Sequence, residues 1–205
     1  MPGLGWHDVP IGSHDSLAYF MYWGLPQNGP AIRAGDPNAI PLQGDTASGK
    51  AILEAIGDKF PQRANYSFDY GPSHWTVIDT LPHADWNDVT LRDWLRADLR
   101  SARTKPWRFV LCYLPPFHSG KDYNWQKMRI ASDIFQEERV TIVFSGFHHS
   151  YQRTYPLRFQ PNAKVLGPVT VCDTVLPGSF QLDHRFDGSR VTHPDGVIYV
   201  TTGGG

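Results

Sequence analysis

The sequence predicts an α/β protein of layered sheets with helices outside, and three observations carry that prediction. Two short, mostly apolar runs, Trp107–Cys112 and 140–144, have the texture of strands buried on both faces. An amphipathic helical pattern precedes each, over 89–102 and about 125–138, giving the order helix, strand, helix, strand. Upstream, Tyr66–Tyr70 and 74–79 read as two strands turned by Gly71 and Pro72, an antiparallel hairpin.

Taken in order, the first 64 residues are loop-rich. Pro26, Gly29, Pro30, Gly35, Pro37, Pro41, Gly44 and Gly49 interrupt any period, and only 50–56 reads as a short helix. In the helix expected over 89–102, Leu91, Trp94, Leu95 and Leu99 form the apolar face. Arg92, Asp93, Arg96 and Arg100 form the polar one, and Asn87 or Asp88 can cap its start. Trp125, Met128 and Phe135 mark one stripe of the second helix, and late strands are expected near 169–171 and at 197–201. In α/β folds chemistry gathers on loops just past the carboxyl ends of strands, which singles out 113–123 and 145–153.

Composition narrows the function. A chain of 205 residues fits one domain, and 40% hydrophobic with 13% aromatic residues supply a sizeable core. Nineteen basic against 20 acidic residues leave no surplus that would recruit nucleic acid or an anionic membrane. No apolar run approaches the roughly 20 residues of a membrane-spanning helix. The opening residues lack the basic and apolar regions of a signal peptide, and localisation stays open. Cys112 and Cys172 match no zinc or CxxC spacing; two buried thiols are expected, with a single bridge as the alternative. Seven tryptophans would also suit a carbohydrate-binding surface, but most fall on core-facing positions of helices or strands.

Several motifs bear on chemistry. His148 and His149 follow a buried strand directly, where a neutral imidazole serves as metal ligand or general acid/base. His7-Asp8 and His14-Asp15 form two early His-Asp pairs, while His74 opens a strand and reads as structural. Gly44 to Lys50 almost spells a phosphate loop, but Ala51 stands where a magnesium-binding hydroxyl is needed. No GxSxG elbow or HExxH occurs.

A set of segments, in order, resembles the C-terminal part of calcineurin-like metallophosphoesterases, closest to their purple-acid-phosphatase-like branch. The set begins with Gly12-Ser-His-Asp15, Tyr66 to Gly71, Val77 to Thr80 and Trp94 to Leu99. It continues with Pro106 to Leu111, Pro115 to Ser119, Val143 to Pro156 and Val197 to Gly205, so that it spans most of the chain. The resemblance implies a sandwich of two mixed β-sheets flanked by helices. It also implies a divalent or mixed-valence metal pair (Fe, Zn or Mn) that clamps a phosphoester and supplies hydroxide.

Carried over residue by residue, the resemblance makes His14 the phosphate contact and acid, and His149 a metal ligand. Three other ligand positions are substituted: Ser13 stands for an asparagine, and Tyr113 and Phe147 for histidines. The family's two early aspartate motifs have no counterpart upstream of Gly12. The expectation is therefore a single metallophosphoesterase-like domain over 1–205, incomplete at its N-terminus, with too few donors for a catalytic ion. Two functions follow as expectations: a phosphate mono- or diester hydrolase represented by a fragment or impaired as written, or a non-catalytic binding module on the same fold. The first would act on a phosphoester small molecule.

Overall fold

Four parallel strands form the middle of the sheet that organises the molecule. The computed structural model describes residues 3–8, 18–42, 46–163 and 168–204. A hairpin of β1 (Tyr66–Tyr70) and β2 (Ser73–Val77) opens the sheet, and Gly71 takes φ 54° in its two-residue turn, a left-handed value that glycine adopts freely. Next to β2 lie β3 (Trp107–Cys112), β4 (Ile142–Ser145) and β8 (Ile198–Thr202), all parallel to it, and β5 (Tyr151–Arg153) closes the far edge antiparallel to β8. A second, smaller sheet is the antiparallel pair β6 (Leu157–Pro161) and β7 (Gly178–Leu182). The result is a mixed α/β architecture of two sheets with helices, as the sequence predicts.

Helix α3 (Val89–Ser101) follows its period closely. Asp88 caps it by accepting from the Thr90 N–H at 2.8 Å, and Leu91, Leu95 and Leu99 are fully buried against Val110, Val143 and Phe135. Trp94 is only half-buried and donates its indole N–H to the Asn28 carbonyl at 2.8 Å. The second expected helix is divided: Lys127–Ala131 is a 3-10 turn, and only Ser132–Glu137 is α-helical (α4). The cause is tethering at its start. The Gln126 N–H is taken by the Asn124 and Thr174 carbonyls, and Lys127 turns inward to donate to the carbonyls of Leu81 (2.6 Å) and Thr80 (3.3 Å).

The N-terminal region contributes α1 (Ala18–Tyr22) and α2 (Thr46–Ile56), the latter longer than the 50–56 expected. Together with Phe60 and Leu4, residues Tyr19 and Phe20 of α1 cover Tyr66 and Val77, so one end of the sheet's second face is buried. The strand expected at 169–171 does not form; there, Val169 is buried and its N–H goes to the Asp85 carboxylate at 2.8 Å rather than to a ladder. Strands β5, β6 and β7 form where the sequence predicts none. Cys112 and Cys172 are free and buried, in line with the two-thiol reading.

Polar residues fix α3 to the hairpin. Asp98 accepts from Thr76 Oγ1 (2.7 Å) and Ser67 Oγ (2.5 Å) and lies 3.0 Å from His74 Nε2, while His74 Nδ1 is 2.8 Å from Asp69. Burial alone would depress the His74 pKa, but the hydrogen bonds and charges of Asp98 and Asp69 outweigh it and raise the value. Because the folded pKa is raised, this clamp stabilises fully below the ordinary histidine range, about 6.5, and is lost as pH rises through the folded value. Urea denaturation of the parent is therefore expected to show stability falling as pH rises above about 6.5, the ordinary histidine value, with a shallower dependence in His74→Gln. Equal slopes in the two proteins would remove His74 from this role.

Candidate functional site

Parallel pairing brings the carboxyl ends of β2, β3, β4 and β8 to one edge, so the segments that follow them are neighbours. After β2 comes Asp79, buried and held on every side. Its N–H donates to Asn65 Oδ1 (2.8 Å), its carboxylate accepts from Leu81 N–H (2.9 Å), and its other oxygen lies 2.6 Å from His83 Nε2. Burial opposes its charge, yet His83, the Leu81 N–H and the Lys127 ammonium hold its pKa below the usual carboxylate value. Burial pushes Lys127 down to about 8, with Asp79, Cys172 and Asp85 acting in the opposite sense. This cluster braces the loop after β2, since each of its buried polar groups has a partner.

Aromatic rings occupy the positions after β3 and β4. Tyr113 and Phe147 meet edge to face with centroids 5.5 Å apart, Trp125 stacks on Phe147 at 4.8 Å, and Trp6 lies 6.4 Å from Trp125. Burial raises the Tyr113 pKa, so its oxygen stays a phenol near neutrality. Phe147 has φ 65°, a left-handed backbone that is uncommon outside glycine. Beside this cluster, Trp6, Pro82, Trp125, Thr170, Cys172 and Asp173 line a shallow depression of about 470 Å³.

His148 is buried, with its ring centroid 4.7 Å from Phe147 and 4.2 Å from His118. Burial lowers the pKa of both imidazoles, and repulsion from His148 lowers that of His118 further, so both are neutral near pH 7. A Cβ on Gly120 would lie 2.5 Å from His148 Cε1, which explains glycine there. His148 Nε2 is buried and meets no hydrogen-bond partner among the described residues.

The positions singled out in the sequence divide accordingly. The structure brings Tyr113 and Phe147 into contact, and leaves His149 exposed beside them in the chain. Ser13 and His14 lie outside the described residues. Trp125, read from sequence as part of a helix stripe, belongs to this edge instead, as do His118 and Trp6. The His118 signal was present in Pro115 to Ser119, but nothing local distinguishes it from a surface histidine.

A metal pair needs three or four donors per ion at fixed geometry. Among the described residues no group of three or more His, Cys, Asp or Glu side chains converges to hold one. The orphaned His148 Nε2 and neighbouring His118 are two imidazoles, and Phe147 has no lone pair to add. The described residues do not fit a metal pair.

No protein-family model matches the chain. It is 29% identical over 111 residues to purple acid phosphatase 22 of Arabidopsis thaliana, covering 52% of this chain and 25% of that protein. With purple acid phosphatase 23 of the same plant the figures are 30% over 95 residues, 43% and 20%. The matched regions thus span a quarter or less of these relatives' lengths. A solved purple acid phosphatase, PPD1 from yellow lupin (Lupinus luteus) seeds, aligns with TM-score 0.47 and 16% identity over 87% of this chain and 30% of its own. Both sequence relatives are purple acid phosphatases, the branch that the ordered segments resemble.

The backbone at Phe147 yields a test. Phe147→Ala removes ring contacts with Tyr113 and Trp125 while keeping a side chain at positive φ, whereas Phe147→Gly removes the contacts and relieves the backbone. Both variants are expected to lose stability, with glycine milder than alanine by about 1 kcal/mol, the reverse of the usual order. Chemical denaturation of the two variants side by side checks this, and an alanine variant more stable than the glycine one would refute it.

Proposed function

We propose that this chain is a metallophosphoesterase-type phosphohydrolase domain of the purple-acid-phosphatase-like branch, impaired in hydrolysis as it stands. Similarity to two purple acid phosphatases supports the family side of this reading. The observation that carries the impairment is the packing of Tyr113 and Phe147 against each other and of Trp125 against Phe147. These are the positions at which the resemblance implies histidine donors; a phenyl ring has no lone pair to give, and a phenol kept neutral by burial is a poor metal donor. In this reading His149 is a surviving ligand position and His14 the phosphate contact, and an intact relative's substrate class, phosphate mono- or diesters, is what the scaffold descends from handling.

A second reading, a non-catalytic binding module on the same fold, is favoured by the depression lined by the Trp6 and Trp125 indoles. Metal analysis and hydrolysis of a chromogenic phosphate ester separate the two readings from an active enzyme and from each other. The purified chain is expected to carry less than stoichiometric Zn, Fe or Mn and to show no turnover. Stoichiometric metal with turnover that His149→Ala abolishes would overturn the impairment. The double variant Tyr113→His with Phe147→His is expected to take up zinc that the parent does not; no gain in metal would favour the binding module.

A further inference from the structure

The opposite edge of the sheet, where β3, β4 and β8 begin, carries a groove of about 680 Å³ that the reading above leaves unused. Arg139, Arg108, Arg158, Trp107, His193 and Pro194 are among its lining residues, and no Asp or Glu is. Its size falls in the range of pockets that take small-molecule ligands.

Among the described residues the charged side chains around it have protein partners, Arg139 excepted. Glu138 is buried and paired with Arg100 (2.9 Å) and Arg103 (2.8 Å). Arg108 is buried and donates to the carbonyls of Lys105 (2.8 Å), Glu138 (3.0 Å) and Arg139 (3.1 Å), so it already serves the C-terminal carbonyls of α4. Arg158 is paired with Asp195 at 2.7 Å. Arg139 is exposed and has no hydrogen bond or ion pair for its guanidinium among the described residues, and its charge repels that of Arg108.

Arg139 also occupies a position where arginine is the wrong residue for folding alone. The Val140 N–H donates to the Phe135 carbonyl (2.8 Å) and the Arg139 N–H to that of Gln136 (3.2 Å), the paired bonds of a Schellman helix end. Its central residue must be left-handed, and Arg139 has φ 51°. Glycine is the usual occupant because it has no Cβ to clash. A strained arginine with an unmet charge, facing the groove beside a Trp107 side chain that is 48% exposed, is a combination that ligand binding explains and packing does not.

We propose that this groove binds a small phosphate-bearing ring compound of nucleotide size, with Arg139 holding the phosphate and the Trp107 indole packing on the ring. Arginine suits the role because its planar fork meets phosphate oxygens in pairs. The ring contact adds apolar burial that inorganic phosphate lacks. The site is independent of the edge that carries Tyr113 and Phe147, so its failure would leave the phosphohydrolase-family reading untouched.

Calorimetric titration of the whole chain with AMP, inorganic phosphate and adenosine tests the proposal. AMP is expected to bind with one-to-one stoichiometry, more tightly than either of the other two. Arg139→Gly should weaken AMP binding by about tenfold or more while raising Tm by about 2–4 °C, because it removes the charge and relieves the backbone together. Arg139→Gln, which keeps the strain, should lose the same affinity without the gain in Tm. Trp107→Leu should weaken AMP and leave phosphate unchanged. No saturable binding of AMP, or binding that survives both Arg139 variants, overturns the proposal.

Discussion

Parallel hydrogen bonding between β2, β3, β4 and β8 is the constraint on which the rest of the molecule depends. The register runs Val77 to Leu111, Leu111 to Phe144 and Phe144 to Val200, so main-chain bonds alone decide that Asp79, Tyr113, Phe147 and Gly203 follow the strands at a common edge. Side chains at that edge can change without moving the backbone that presents them. Backbone geometry and edge chemistry are thereby separable: the ladder keeps the geometry, and whatever occupies the edge packs as its own shape dictates. Here the occupants are rings, and they pack as rings do. Close approaches secure the arrangement from behind, since the Gly203 N–H donates to the His148 carbonyl at 3.0 Å and a Cβ at Gly203 would strike that carbonyl.

How much of this was legible depended on whether the signal was local. Trp107–Cys112 and α3 were readable because a buried strand and an amphipathic helix each leave a periodic trace in their own sequence. The segment over 125–138 has the same trace, yet its first turn is 3-10, because bonds donated to the Thr174 and Leu81 carbonyls fix Gln126 and Lys127 from elsewhere in the chain. Strand β7 is almost entirely exposed and β6 alternates over only five residues, so their pairing has no hydrophobic pattern to announce it. A buried lysine is equally silent: Lys127 beside Met128 reads as a surface residue until the carbonyls that receive it are in place.

Site residues show the same division. The adjacency of Tyr113 and Phe147 followed from an ordered set of segments and the two strands that carry them, not from composition. The part played by Trp125 did not follow, since a tryptophan on a helical stripe and one stacked on a loop phenylalanine look alike in sequence. Asp98 was invisible for a related reason. On the face of α3 it looks solvated, and only the hairpin opposite, with Thr76, Ser67 and His74, makes it a partner.

Strand β4 is one of the parallel strands that run between the two edges, and its flanks carry the strain. Among the described residues the non-glycine positions with positive φ are Arg139, shortly before β4, and Phe147, shortly after it. Each exposes its Cβ to the clash that makes left-handed backbone rare in L-residues. At Phe147 the compensation is visible, because Trp125, Tyr113 and His148 surround the ring. At Arg139 the paired main-chain bonds of the helix end hold the backbone, but among the described residues nothing meets the guanidinium: the helix end is already served by Arg108, and the buried glutamate by Arg100 and Arg103. A left-handed residue whose side chain is packed and one whose side chain is left without a protein partner have different meanings. The first belongs to the architecture of a closed edge, and the second points outward, to a charge that the isolated fold leaves without a counterpart.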